Sequence, residues 1–280
     1  ATSTRRKTLK KNRDALRDKI KKYFKDNHSD YIQPTFYWQG SYAMHTLLNP
    51  IKDENGLGAF DLDDGVYFES DDINDRKSID WYHQEVYEAV KDHTENGADD
   101  IDPCVRVQYA DGHHIDLAIY FLHTTEDKTM LAHRLEPWHE SNPDEMIAWF
   151  SDECKSKTKF RELVRFMKAW CEYKRSEGIK MPSGCIMSML TSEYYQWNDE
   201  NRYDIAMRDI LKNMYDNLSK EGHFHCWRPV EPGEDLFDNY TKGRKDTFLK
   251  ELKSFKEDAE MAIASKNQHD GCVRWQKHFG

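Results

Sequence analysis

At 280 residues the chain is long enough for one large domain or two closely packed lobes. Hydrophobic residues (38%) and aromatics (13%) suffice to fill a core, and the net charge of −10 argues against tight binding of duplex nucleic acid, which needs a broad basic face. No run approaches the roughly 18 apolar residues of a membrane span and the first six residues lack the apolar stretch of a signal peptide, so a soluble, cytoplasmic protein with no membrane partner is expected.

The charge is unevenly spread. Residues 1–28 carry eleven Lys/Arg against three Asp, a net of +8, which leaves −18 for the remainder. Leu9, Leu16, Ile20 and Phe24 stand at near-helical spacing, which predicts a long amphipathic helix over 7–25. Its basic side reads as a solvated face beside an acidic body, with contact to phosphates as the alternative. Asn27-His28-Ser29-Asp30 ends the helix, Pro34 follows, and Phe36-Tyr37-Trp38 is an extended segment leading into Gly40-Ser41. A second helix is predicted from Ser41 to just before Pro50, a loop over 50–59, and a strand pair or a single bent strand over 60–68. Residues 79 to about 95 are helical by pattern. Val105, Val107 and Tyr109, then Ile115, Leu117 and Ile119, alternate on either side of Asp111-Gly112, which predicts an antiparallel hairpin.

After Pro143 the texture changes. Phe160, Leu163, Val164, Met167, Trp170 and Cys171 form a helical stripe, and further helices are predicted around 184–196, 203–218 and 245–266. The fold class is therefore α+β: a mixed sheet with helices over residues 1–150, opened by the long N-terminal helix, and a helical lobe over 151–280, with a cleft between them. The six cysteines (Cys104, Cys154, Cys171, Cys185, Cys226, Cys272) contain no CxxC pair and read as reduced, mostly buried thiols without disulfides. His223-Phe224-His225-Cys226 could ligate zinc, but no second set stands at ligand spacing from it, so zinc is not expected.

The chemistry concentrates in Phe60-Asp61-Leu62-Asp63-Asp64-Gly65-Val66-Tyr67-Phe68. In a strand, residues two apart share a face, so Asp61 and Asp63 present two carboxylates together while Leu62 faces the other way. Such a pair repels itself unless a cation intervenes, and its hard oxygens suit magnesium. A third carboxylate, Asp116, lies among Ile115, Leu117 and Ile119, whose burial forces it onto the opposite face. If its strand neighbours that of Asp61 and Asp63, the three can hold two metal ions about 3.5–4 Å apart, the clamp of in-line phosphoryl transfer. Upstream, Gln39-Gly40-Ser41 offers a glycine for close backbone approach, a hydroxyl and the amides of a helix start to a phosphate. Taken singly, Asp-x-Asp can be a turn and Asp116 can be salt-bridged to Arg106; together with Gly40-Ser41 in this order they favour a metal-nucleotide site.

These residues resemble the DNA polymerase beta nucleotidyltransferase superfamily: a Gly-Ser helix start, Asp-x-Asp, then a distant Asp. The closer resemblance is to the bacterial cyclic GMP-AMP synthase and DncV-like enzymes, the CD-NTases of anti-phage signalling. It is carried by Gln39-Gly40-Ser41-Tyr42-Ala43-Met44, the strand from Asp61 to Phe68, and His114-Ile115-Asp116-Leu117-Ala118. Lys168-Ala169-Trp170 before Pro182-Ser183-Gly184, the stretch from Pro229 to Leu236, and the end from Trp275 to Gly280 extend it over nearly the whole chain. The resemblance implies a polymerase-beta-like nucleotidyltransferase core with a helical C-terminal lobe. It further implies that Gln39, Gly40 and Ser41 contact nucleotide phosphate, that Lys168 reaches the triphosphate beside Ser183, and that Asp235 lies near a base. Arg106 meets the second nucleotide or forms a structural ion pair. A snorkelling surface lysine is the lesser alternative for Lys168, and Tyr194 and Tyr195 stack a base or, as tyrosines at such spacing more often do, belong to the core.

The expected activity is a cyclic oligonucleotide synthase of the CBASS type, joining ATP and/or GTP with release of pyrophosphate. Asp61, Asp63 and Asp116 are its catalytic and metal-binding residues, holding two Mg²⁺ ions for which Mn²⁺ can substitute. A HORMA-type activator and an effector sensing the product are the implied partners. A template-independent transferase acting on RNA or protein, and a catalytically silent nucleotide-binding module, are the competing readings. The bases joined, the ring size and the linkage depend on a few cleft side chains and stay open.

Overall fold

The computed structural model describes residues 2–51, 60–230 and 233–280. The loop predicted over 50–59 lies outside the described residues apart from Pro50 and Ile51. The chain divides into two compact units, Ala1–Ile147 and Ala148–Gly280.

The first unit opens with α1 (Ser3–Asn27), capped by the Thr2 side chain, which accepts the Arg5 amide. β1 (Thr35–Trp38), α2 (Gly40–Ala43), β2 (Phe60–Ser70), α3 (Ile79–Val90), β3 (Ala98–Ile101), β4 (Cys104–Gln108), β5 (His113–His123), β6 (Lys128–Leu131) and β7 (His139–Glu140) follow. The strands form one sheet in the order β1-β2-β5-β4-β3, with β6 also on β5 and β7 on β6. β2 and β5 run parallel over eleven residues each, and the other pairings are antiparallel. One face of this sheet buries Leu62, Val66 and Phe68 with Ile115, Leu117, Ile119 and Phe121 in a core shared with Leu16, Phe24 and Val86 of the helices. The pleat then sends Asp61, Asp63, His114 and Asp116 to the opposite face.

One carboxylate breaks the alternation. Asp64 lies on the core face, wholly buried, and accepts from Arg17 Nε of α1 at 2.7 Å. Removing one member of a buried pair strands the other charge, so Arg17→Met is expected to cost about 3–5 kcal/mol of stability. The double variant Arg17→Met/Asp64→Leu should recover most of it. Urea midpoints check this; an unchanged midpoint in the single variant would refute it.

The basic side of α1 is only partly a solvated face, which corrects the sequence expectation. Arg6 lies over the Tyr42 ring at 4.4 Å, Arg13 over Trp38 at 4.3 Å and Arg17 over Phe36 at 5.4 Å. Three guanidiniums thus stack on the aromatics that flank Gly40-Ser41, and Arg13 is itself 2% exposed. α2 is a single turn rather than a helix reaching toward Pro50, because the chain reverses at His45 (φ 59°) and the Thr46 amide closes on the Ser41 carbonyl at 2.9 Å. The 60–68 region is one strand of eleven residues. α3 stops at Val90, five residues short of expectation, where turns through His93 and Gly97 take over.

The second unit is helical. α4 (Pro143–Ser156), α5 (Phe160–Ser176), α6 (Gly184–Glu193), α7 (Tyr203–Leu218), α8 (Lys242–Ala264) and α9 (Gln268–Phe279) succeed one another, α4 beginning just before the boundary. The predicted stripe on α5 is buried at every position. All six cysteines are free thiols; Cys104, Cys171 and Cys226 are buried, Cys154 is half-buried, and Cys185 and Cys272 are exposed. No helix among the described residues is long and apolar enough to cross a membrane.

Candidate active site

The register of β2 on β5 arranges the site. Asp61 is level with His114 and Asp63 with Asp116, so the four side chains form a two-by-two array on the face away from α1 and α3. Donor atoms of Asp61, His114 and Asp116 all lie within 4.8 Å of one another. This set of two carboxylates and an imidazole fits a divalent cation, since oxygen and nitrogen donors across one ion stand about 4–4.4 Å apart. Burial pulls the His114 imidazole below its ordinary value, against the upward pull of Asp116.

Asp116 already has a cationic partner. Arg106, level with it on β4, donates through Nε to Oδ1 and through a terminal nitrogen to Oδ2, each at 2.8 Å. The structural ion pair weighed for Arg106 is therefore present, and its fork geometry is the one that also suits phosphate. Beside it a cavity of about 350 Å³ is lined by Asp99, Arg106, Gln108, Tyr109 and His114. Cys104, two residues along β4 on the same face, is no nucleophile, because burial, with Asp116 adding to it, pushes its thiol up to about 12.

Asp63 meets the Gly40 turn. Gly40 has φ +57°, and a Cβ there would stand 1.9 Å from Asp63 Oδ2, so the carboxylate lies directly on the glycine. Gln39, expected to touch phosphate, turns its side chain inward instead. It is 5% exposed, its Nε2 donates to Tyr67 Oη at 2.9 Å, and its Oε1 accepts from Tyr120. Those two tyrosines stack at 4.7 Å, and Gly65 makes room, since a Cβ on it would come within 2.4 Å of Gln39 Nε2. Gln39 thus ties the turn to the sheet. The signals for this were Tyr67 and Tyr120, which stand four residues beyond Asp63 and Asp116 on the same face, and the small residues Gly65 and Ala118 between them and the acids.

In the second unit, Lys168 of α5 lies across the start of α6: a Cβ on Gly184 would meet its Cε at 2.6 Å. Ser183 caps α6, its Oγ accepting the Ile186 amide. An ammonium group beside a helix N-terminus is a place for negative charge. Asp235 uses Oδ1 to accept the amides of Cys226 and Phe237, at 2.8 and 3.0 Å, which holds a turn. Tyr194 is buried with its hydroxyl on Asn217 and follows the core alternative, whereas Tyr195 is only half-buried and donates to the Thr158 carbonyl.

A mixed sheet whose central parallel pair carries Asp61, Asp63 and Asp116 on one face, with a Gly-Ser turn packed on it, is the polymerase-beta-like nucleotidyltransferase fold. Residues 34–120 match the family described as cyclic GMP-AMP synthase DncV-like, nucleotidyltransferase domain. The chain is 27% identical over 172 residues to a cyclic GMP-AMP synthase of Escherichia albertii, a match covering 57% of this chain and 37% of that protein. The fold is that of the Vibrio cholerae DncV cyclic AMP-GMP synthase, at a TM-score of 0.85 and 18% identity over 100% of this chain and 91% of that one. The same protein with nonhydrolyzable GTP matches at 0.85, 19% identity, 100% and 91%. With the linear intermediate 5′ pppA(3′,5′)pG it matches at 0.82, 18%, 100% and 91%.

Proposed function

We propose that this chain joins nucleoside triphosphates, ATP and GTP foremost, into a cyclic di- or trinucleotide with release of pyrophosphate, as the signal-making enzyme of a CBASS anti-phage system. The observation that carries this is the register placing Asp61, Asp63 and Asp116 on one face of neighbouring strands. The Vibrio protein's complexes with nonhydrolyzable GTP and with the linear intermediate support the choice of substrates.

Two Mg²⁺ ions, replaceable by Mn²⁺, are the cofactors these carboxylates would hold; bound, they neutralise the triphosphate and acidify the attacking ribose hydroxyl. Asp116 accepts or orients that hydroxyl's proton. The hydroxyl oxygen bonds to the α-phosphorus, the bond from that phosphorus to the bridging oxygen breaks, and pyrophosphate leaves. The linear product then turns over and closes, or extends once more before closing. Arg106 exchanges the Asp116 carboxylate for a phosphate of the second nucleotide, in the cavity it lines. Gly40 and Ser41 hold donor phosphate through backbone and hydroxyl, with Gln39 positioning them. Lys168 and Ser183 bind triphosphate, and Asp235 meets a base with the oxygen its turn leaves over.

The test is incubation of the chain with the four ribonucleoside triphosphates and Mg²⁺ or Mn²⁺, followed by mass spectrometry of phosphatase-resistant products. A cyclic di- or trinucleotide is expected. Label transferred to added RNA or protein, with no cyclic product, would point to the template-independent transferase instead. A HORMA-type activator and a product-sensing effector complete the proposal; dependence on the former is read as product that forms only when it is added.

A further inference from the structure

His113 and His114 are adjacent on β5 and so point to opposite faces. His113 is 2% exposed, its ring stacked on Tyr109 at 4.1 Å and on Phe60 at 5.3 Å, with Nδ1 at the Asp111 carboxylate and Nε2 at 3.1 Å from Asn12 Nδ2. This anchorage fixes the pleat at the start of β5. His114 must then project beside Asp61, level with it on β2, and on the same face as Asp116 two residues on. Its Nε2 stands 4.0 Å from Asp116 Oδ2, too far for a hydrogen bond, while one donor atom from each of the three residues falls within 4.8 Å of the others. Side-chain rotations alone bring such a set onto one ion, whose opposed ligands are about 4–4.4 Å apart.

We infer, on the cation site proposed above, that His114 is a ligand of that site and shifts its preference from Mg²⁺ toward first-row transition ions. Carboxylate oxygens alone suit Mg²⁺, whereas an imidazole nitrogen adds little for that hard ion and much for Co²⁺. Asp61 and Asp116 retain an all-oxygen pair for Mg²⁺, so the site accepts both ions and His114 sets the ratio between them.

The test is isothermal titration of the chelator-stripped full chain with Mg²⁺, Mn²⁺ or Co²⁺ alone, with electron spin-echo spectroscopy of the Mn²⁺ complex to detect a coordinated nitrogen. Wild type should bind Co²⁺ at least about tenfold tighter than Mg²⁺ and show ¹⁴N modulation. His114→Gln and His114→Asn should each weaken Co²⁺ about tenfold, change Mg²⁺ less than about twofold, and lose the modulation. Equal losses for Co²⁺ and Mg²⁺, or a wild-type Mn²⁺ complex without modulation, overturn the inference. Asp61→Asn and Asp116→Asn separate the two levels. If they abolish binding while the His114 variants do nothing, only the histidine's role fails; if they too leave binding intact, or wild type binds no cation saturably, the cation site itself fails and the inference with it.

Discussion

Asp116→Asn is expected to lower cyclic-nucleotide formation about 10³-fold while leaving the protein folded. Asparagine keeps the shape of the side chain and one acceptor oxygen, but it carries no charge and takes up no proton. The position is half-buried, and its two hydrogen bonds from Arg106 are both charge-assisted at 2.8 Å. Arg106 itself is a third exposed, so water takes over part of the lost partnership and the stability cost should stay near 1 kcal/mol. Product yield by mass spectrometry and a urea midpoint measured on the same preparation separate the two quantities. Retention of more than about a tenth of the activity would remove Asp116 from the chemistry, because a general base typically contributes 10²–10⁴-fold.

The face on which Asp116 stands was legible in the sequence because Ile115, Leu117 and Ile119 leave a strand no other pleat. Its neighbour across the sheet was not. Parallel pairing of β2 with β5 joins segments some fifty residues apart, and nothing local in either strand encodes it; the register Asp63 with Asp116 becomes visible only with the strand order. The same gap hid His114, whose spacing from Asp116 was plain but whose level with Asp61 was not. β3 (Ala-Asp-Asp-Ile) and β6 (Lys-Thr-Met-Leu) escaped notice since each is four residues long, and two acids make the first look like a loop. α9 contains Gly271, a residue that reads as a breaker; there it permits close packing, as a Cβ would come 3.1 Å from the Ala262 carbonyl oxygen. The basic run on α1 misled for a related reason. Charge counted along a chain says nothing of the rings of Phe36, Trp38 and Tyr42, on which Arg17, Arg13 and Arg6 come to lie.

Those stacked arginines hold the turn that bears Gly40, and Gly40→Ala is expected to lose activity about 10²-fold, the usual result of misplacing a reacting group by about an ångström. Two effects add at this residue. An L-residue at φ +57° costs about 1–2 kcal/mol, and the new methyl would overlap the Asp63 carboxylate, 1.9 Å from Oδ2. β2 is paired on both sides, to β1 and to β5, so the strand cannot retreat. The carboxylate must therefore rotate off the turn and leave its place level with Asp116 on the face that carries Asp61. Gly222→Ala isolates the first effect, because Gly222 has φ +75° with nothing within 4 Å of the added Cβ. Gly222→Ala should lose about 1–2 kcal/mol of stability and Gly40→Ala at least as much, but only Gly40→Ala should also lose turnover and divalent-cation affinity. If the two variants behave alike in all three measurements, Asp63 lies on the turn merely as packing, and the proposed coupling of the Gly40 turn to a cation site dissolves.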